Sequence, residues 1–209
     1  MTLSVSPAAA PDGPASRKDV ETALRDGPTR LTGWSLADLE LKGLDLHGCE
    51  FVSCRAARVD FSSSDLSEAS FTGCDLNNAK FRRATLASSA FRDCRLTGAQ
   101  MSDARTLGLT FKRCLLVSAQ LKGLSFRRMT LDGLDFQGAD LAAVDFREAV
   151  LTGCSLRDAN LADARFEGAD LRGADLGALR LADASRYKGA VISKRQAAVL
   201  LSSLGLRVE

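Results

Sequence analysis

The sequence is short of the side chains that usually carry chemistry. It has one histidine, one tyrosine, one tryptophan and four prolines in 209 residues. His47 has no second histidine to complete a metal pair or a nucleophile–base arrangement. No glycine-rich phosphate loop ending in Lys-Ser or Lys-Thr occurs. The six cysteines lack CxxC spacing. No apolar run approaches the ~18–20 residues that span a bilayer. Residues 1–15 have neither the charged start nor the apolar stretch of a secretory signal, so a cytoplasmic location is expected. A net charge of +2 excludes a uniformly acidic or basic molecule. These absences point away from an enzyme: no catalytic, cofactor-binding or metal-binding residue is expected.

What the sequence does contain is a repeat. From Leu31 it falls into five-residue units (LTGWS LADLE LKGLD LHGCE FVSCR and onward) that run to Ser185 without an insertion. The first position of each unit is Leu, Phe or Met, except at Ala56 and Thr106, and all ten phenylalanines sit there. All six cysteines sit two residues before the next first position, a place otherwise filled by Ala, Ser, Val, Leu, Met or Trp34. Neither a helix period of ~3.6 nor a strand period of ~2 sorts residues in this way. A unit with two buried side chains describes one flat side and one corner of a coil. The third position of the unit often holds glycine, which suits the left-handed backbone of a type II turn.

A longer period lies over the first. Phe51, Phe71, Phe91 and Phe111 recur every 20 residues, as do Phe126, Phe146 and Phe166, and so do Cys54, Cys74, Cys94 and Cys114. Four units therefore close one coil. Like residues then stack in columns at the ~4.8 Å spacing of neighbouring strands. The expected fold is an all-β solenoid, a quadrilateral β-helix of about 8 coils with short helical caps.

Near-consensus stretches such as Ala139-Asp140-Leu141, Ala159-Asn160-Leu161, Ala169-Asp170-Leu171 and Ala174-Asp175-Leu176 resemble the A(D/N)LXX pattern of the pentapeptide-repeat family. That resemblance implies a right-handed coil. It covers about three quarters of the chain and is specific for fold rather than function.

The ends differ from the repeats. Residues 1–15, rich in Ala, Pro and Ser, are expected to be disordered. Residues 16–30 read as a capping helix: Ser16-Arg17-Lys18-Asp19 resembles a capping box, and Gly27-Pro28 stops it. Residues 31–185 are the repeat. Residues 186–209 read as a helix and a short strand, started by the capping box Ser193-Lys194-Arg195-Gln196. Its apolar residues Ile192, Ala197, Leu200, Leu201, Leu204, Leu206 and Val208 exceed what one coil needs for a cap. Either they only cap, or they also form a homodimer interface. This tail is similar to that of the quinolone-resistance (Qnr and MfpA type) and albicidin-resistance pentapeptide proteins. There the tail joins two rods that mimic duplex DNA on DNA gyrase.

Charge is banded. Residues 31–79 carry 8 acidic and 3 basic side chains, residues 80–128 carry 2 and 11, and residues 129–183 carry 11 and 5. The basic belt comprises Lys80, Arg82, Arg83, Arg92, Arg95, Arg105, Lys112, Arg113, Lys122, Arg127 and Arg128. The acidic candidates nearest the tail are Asp132, Asp135, Asp140, Asp145, Glu148, Asp158, Asp163, Asp170 and Asp175. They would serve as phosphate mimics, or simply solvate the surface and support turns. No aromatic side chain is interleaved with the belt, so stacking on single-stranded bases is not expected. Around Thr106, Leu107, Leu115 and Val117 occupy outward positions, from a distorted coil or an exposed apolar patch.

Two functions fit. One is a non-enzymatic protein that binds DNA gyrase or a related type II topoisomerase and protects it from an antibiotic, partly by mimicking DNA. The other is a structural or adaptor rod for protein–protein contacts, for example in a secretion or envelope system.

Overall fold

The computed structural model describes residues 5–177, 185–203, Gly205 and Arg207. Leu204, Leu206 and Val208 of the expected dimer interface lie outside the described residues. The chain is a parallel β-solenoid that divides into two compact units, Met1–Gln120 and Leu121–Glu209.

The first unit holds β1 (Ser6–Ala8), α1 (Arg17–Ala23), β2 (Thr29–Thr32), β3 (Glu50–Val52), β4 (Ser70–Thr72), β5 (Ala90–Arg92) and β6 (Thr110–Lys112). From β2 to β6 the strands pair in parallel with a register of 20, placing Phe51 opposite Phe71, Phe71 opposite Phe91 and Phe91 opposite Phe111. Isolated bridges such as Glu40 to Asp60, Asp45 to Asp65 and Arg55 to Asp75 hold the other three sides at the same interval. Phenylalanines from two opposite sides fill the interior. Phe71 stacks between Phe51 and Phe91 at centroid distances of 4.5 and 4.7 Å and meets Phe61 and Phe81 edge-on. Offset-stacked and edge-on pairs are both favourable ring geometries.

The cysteines form a second column. Cys54, Cys74, Cys94 and Cys114 are buried and free, and their thiols donate to the carbonyls of Leu31, Phe51, Phe71 and Phe91 at 3.2–3.5 Å. Ser64 and Ser89 make the same bond to Leu41 and Leu66 on other sides, at 2.8 and 2.7 Å. A small side chain with one donor thus satisfies a buried carbonyl at the corner. Burial pushes the thiols of Cys49 and Cys154 up from their ordinary value.

The left-handed corner is not reserved for glycine. Except at Gly173, the third position of each described unit takes a φ of about +50 to +75° whatever its side chain, as at Arg58 (58°), Arg83 (56°) and Ala143 (56°). The turn's own hydrogen bond, as from Leu39 N–H to the Leu36 carbonyl at 3.3 Å, and the bond from the next coil impose it.

The N-terminal segment departs from expectation. Residues 5–15 carry β1, which pairs in parallel with β2, and Pro14 bridges Ser35. This covers the edge that β2 would otherwise expose. The Trp34 indole N–H donates to the Ala8 carbonyl at 3.5 Å. The Ser16–Asp19 capping box starts α1, Val20 is fully buried, and the Arg17 guanidinium donates to the carbonyls of Glu40 and Lys42 at 3.1 Å.

The second unit holds β7 (Thr130–Asp132), β8 (Val150–Ser155), β9 (Asp170–Asp175) and α2 (Lys194–Ser203). Here β8 and β9 slip, with Thr152 opposite Gly173 rather than residue 172. A Cβ at Gly173 would stand 3.0 Å from the Leu151 carbonyl oxygen, so this close approach needs glycine. The expected tail begins as a further piece of coil. Tyr187 stacks on Phe166 at 4.8 Å, and Leu171 N–H donates to the Val191 carbonyl at 2.8 Å. Ser193 and Gln196 form the capping box of α2, and the Gln196 amide also donates to the carbonyls of Leu171 and Ala174 at 2.7 and 2.8 Å.

Candidate interaction surface

Among the described residues no group of three His, Cys, Asp or Glu side chains is placed to hold a metal ion. The surface differs between the units mainly in how its charges are paired.

In the second unit the aspartates of the flat sides are turn supports. Asp135, Asp140, Asp145, Asp170 and Asp175 each accept the backbone N–H two residues on, at 3.0–3.2 Å. Several are also neutralised. Arg147 pairs with Asp145 and Arg172 with Asp170, both at 2.6 Å, and Arg186 reaches Asp163 and Arg157 reaches Asp175 at longer range. Glu148 takes both Arg128 and Arg127, at 2.7 and 2.8 Å, and these two guanidiniums pull its carboxyl down to about 2. Asp140 accepts from the Asn160 amide at 2.9 Å. The nine acidic candidates are therefore brought onto one unit but not into one field of like charge. Asp135, Asp140 and Asp158 have no arginine within 4.0 Å among the described residues.

In the first unit fewer of the arginines are paired. Arg58 pairs with Asp38 and Arg113 with Asp93, both at 2.6 Å, across one coil spacing. Arg82, Arg83, Arg92, Arg95 and Arg105 are exposed and have no carboxylate within 4.0 Å among the described residues. Arg92 lies opposite Lys112 in the β5–β6 register. Arg82 and Arg83 form part of a shallow groove of about 670 Å³ along one corner, with Lys42, Ser62, Ser63 and Asp103. Lys42 is shared with Asp60 at 3.4 Å and Glu40 at 3.6 Å. The basic belt was legible in the sequence, but Lys42, Ser62 and Ser63 were not read into it. The 20-residue period aligns Lys42, Ser62 and Arg82 in one column and would have found them.

A pentapeptide repeat region model matches residues 44–121, and a model of eight pentapeptide copies matches residues 111–147 and 139–177. The chain belongs to the pentapeptide-repeat family. No curated sequence matches this pentapeptide-repeat protein. Among solved structures it is similar to two trypsin-treated forms of QnrB1, a plasmid-mediated fluoroquinolone resistance protein. Both are 25% identical, with TM-scores of 0.76 and 0.77. The alignments cover 86% and 87% of this chain and 90% of each QnrB1 chain. Full-length QnrB1 shares the fold, with a TM-score of 0.77 at 24% identity over 85% of this chain and 91% of that one.

Other candidate residues of the pentapeptide-repeat protein fall as follows. His47 lies half-buried on the surface, where its backbone N–H donates to Asp45 at 3.1 Å. The turn after Thr106 is regular, with Gly108 at φ 74°, and it leaves Leu107 86% exposed and Leu115 44% exposed. In the tail, Val199 and Leu201 face solvent at 58% and 40%, while Ile192, Ala197 and Leu200 are half-buried. Val199 was not among the expected interface residues. No described helix is long and apolar enough to cross a membrane.

Proposed function

We propose that this chain is a non-enzymatic partner of DNA gyrase or a related type II topoisomerase and protects it from a topoisomerase-poisoning antibiotic. The observation that carries the reading is the likeness to a fluoroquinolone resistance protein over 86% of the chain at a TM-score of 0.76. Binding alone performs the function: the protein occupies part of the DNA-binding surface and keeps the drug or its ternary complex from forming there. The DNA-like part of that contact falls to Asp135, Asp140 and Asp158, which have no arginine within 4.0 Å among the described residues. A homodimer through the tail, in which Val199 and Leu201 of α2 take part, would place two such surfaces together. The protein acts in the cytoplasm, where gyrase is.

The test is an ATP-dependent supercoiling assay with purified gyrase, with and without a fluoroquinolone. Protection or inhibition is expected at micromolar protein. Absence of both, with no gyrase binding at low salt, refutes the reading. Light scattering reports the dimer, and a monomer at micromolar concentration removes the tail from the scheme.

A second reading, an adaptor β-helix for another protein, draws on Leu107. Leu107 is 86% exposed two residues from Arg105, and exposed apolar surface of this kind marks contact sites. A non-topoisomerase partner recovered in a pull-down and lost with Leu107→Ser would favour it.

A further inference from the structure

We infer that the corner groove of the first unit binds the phosphate backbone of a nucleic-acid duplex. This goes beyond the topoisomerase reading and does not depend on it.

Four observations carry the inference. First, Arg82 and Arg83 project from one turn with no carboxylate within 4.0 Å among the described residues, whereas every described arginine of the second unit's repeats has one. Surface arginines left unpaired beside a chain this rich in aspartate keep their full attraction for an external anion. Second, the cations form a row. Lys42 lies two coils before Arg82 in the same corner column and Lys80 on the adjoining flat side, the two sharing Asp60 at 3.4 and 3.8 Å, and Arg105 follows on the next side. At ~4.8 Å per coil the row from Lys42 to Arg105 spans roughly 14 Å, more than one phosphoryl group occupies.

Third, the hydroxyls of Ser62 and Ser63 lie between the cations, in the same groove. Arginine, lysine and serine are all side chains that bond to phosphate oxygens. Fourth, no large apolar or aromatic residue lines the groove. A protein partner would ordinarily need a buried apolar anchor there, and a single strand would need a ring to stack on. A duplex needs neither, because its charged backbone supplies most of the affinity. Asp103, also in the groove, opposes an anion, and its effect can be measured.

The experiment is fluorescence anisotropy of the full chain with a labelled 30-base-pair duplex of arbitrary sequence at 50–300 mM salt, with no topoisomerase present. Wild type should bind at low salt and weaken steeply as salt rises, with a log–log slope of about −3 for three to four phosphate contacts. Arg82→Glu/Arg83→Glu should lower affinity at least about tenfold at 50 mM salt, and Asp103→Asn should raise it severalfold. Arg92→Glu/Arg95→Glu makes the same charge change two sides further round the coil and should change affinity little. Equal losses in the two double variants would mean net charge alone is sensed, and would overturn the proposal. So would no binding at 50 mM salt, no change with Asp103→Asn, or a polyglutamate chain that competes as well as unlabelled duplex. If the charge reversals misfold, the neutral pair Arg82→Gln/Arg83→Gln and Arg92→Gln/Arg95→Gln makes the same comparison.

Discussion

Ala143 holds φ at 56°, a left-handed conformation that L-residues other than asparagine and aspartate adopt at a cost of roughly 1–2 kcal/mol. Its side chain is exposed and has no partner to lose. Ala143→Gly should therefore stabilise the protein by about 0.5–1 kcal/mol, the strain relieved being partly offset by the greater freedom of glycine when unfolded. Urea titration checks this, and a loss of stability would mean the corner is not strained. Gly173 is the opposite case. Its φ is not left-handed, yet Leu151 and Thr152 crowd the place a Cβ would take. Glycine thus marks two different needs at the same position of the repeat, and the sequence alone shows only that glycine is there.

At the scale of the element, the stacked phenylalanine column is the internal support of the first unit. Phe71 contacts four other rings, two stacked and two edge-on. Phe71→Ala leaves a cavity that the ladders above and below cannot close. It should cost about 3–5 kcal/mol, read as a lowered midpoint in thermal or urea unfolding. A cost under about 1 kcal/mol would mean the coils collapse around the gap. This column was plain in the sequence, because phenylalanine is rare enough that its 20-residue spacing stands out. The strand at Ser6–Ala8 was not, because edge pairing is made by backbone groups and its Ala–Pro–Ser surroundings look like a disordered tail. The extra coil at Tyr187 was hidden because Tyr187 follows Phe166 by 21 residues, one more than the spacing of the phenylalanine column. Charge pairing was half legible. Arg58–Asp38, Arg113–Asp93 and Arg128–Glu148 are all separated by 20 residues, whereas Arg147–Asp145 and Arg172–Asp170 depend on the side chain folding back across its own turn.

At the scale of the molecule, these ion pairs set how stability responds to acid. Asp38, Asp93, Asp145, Asp170 and Glu148 are held below their ordinary values, chiefly by hydrogen bonds from Arg58, Arg113, Arg147, Arg172 and Arg128. A depressed folded-state value means that the stabilisation is complete above the unfolded value near 4 and is lost as pH falls through the folded one. The melting temperature should stay level from pH 8 to 5 and decline from about pH 4 toward 2. High salt should flatten the decline, because the pairs are exposed and readily screened. A decline beginning above pH 5 would point to other groups. Such pairs also limit the electrostatic reach of the second unit, so contact with a topoisomerase should depend less on salt than contact with duplex DNA.

The coil ladder has a consequence for descent. Within a unit, each outward slot takes its coordinates from the backbone grid and makes few demands on the interior. Exchanging an aspartate for an arginine there rewrites the local field while the phenylalanines beneath keep their places. Two chains can then inherit one scaffold and carry opposite lettering on it. A relative at 25% identity and a TM-score of 0.76 is a guide to the scaffold. The lettering, and with it the choice of partner, is free to drift at the pace of single substitutions.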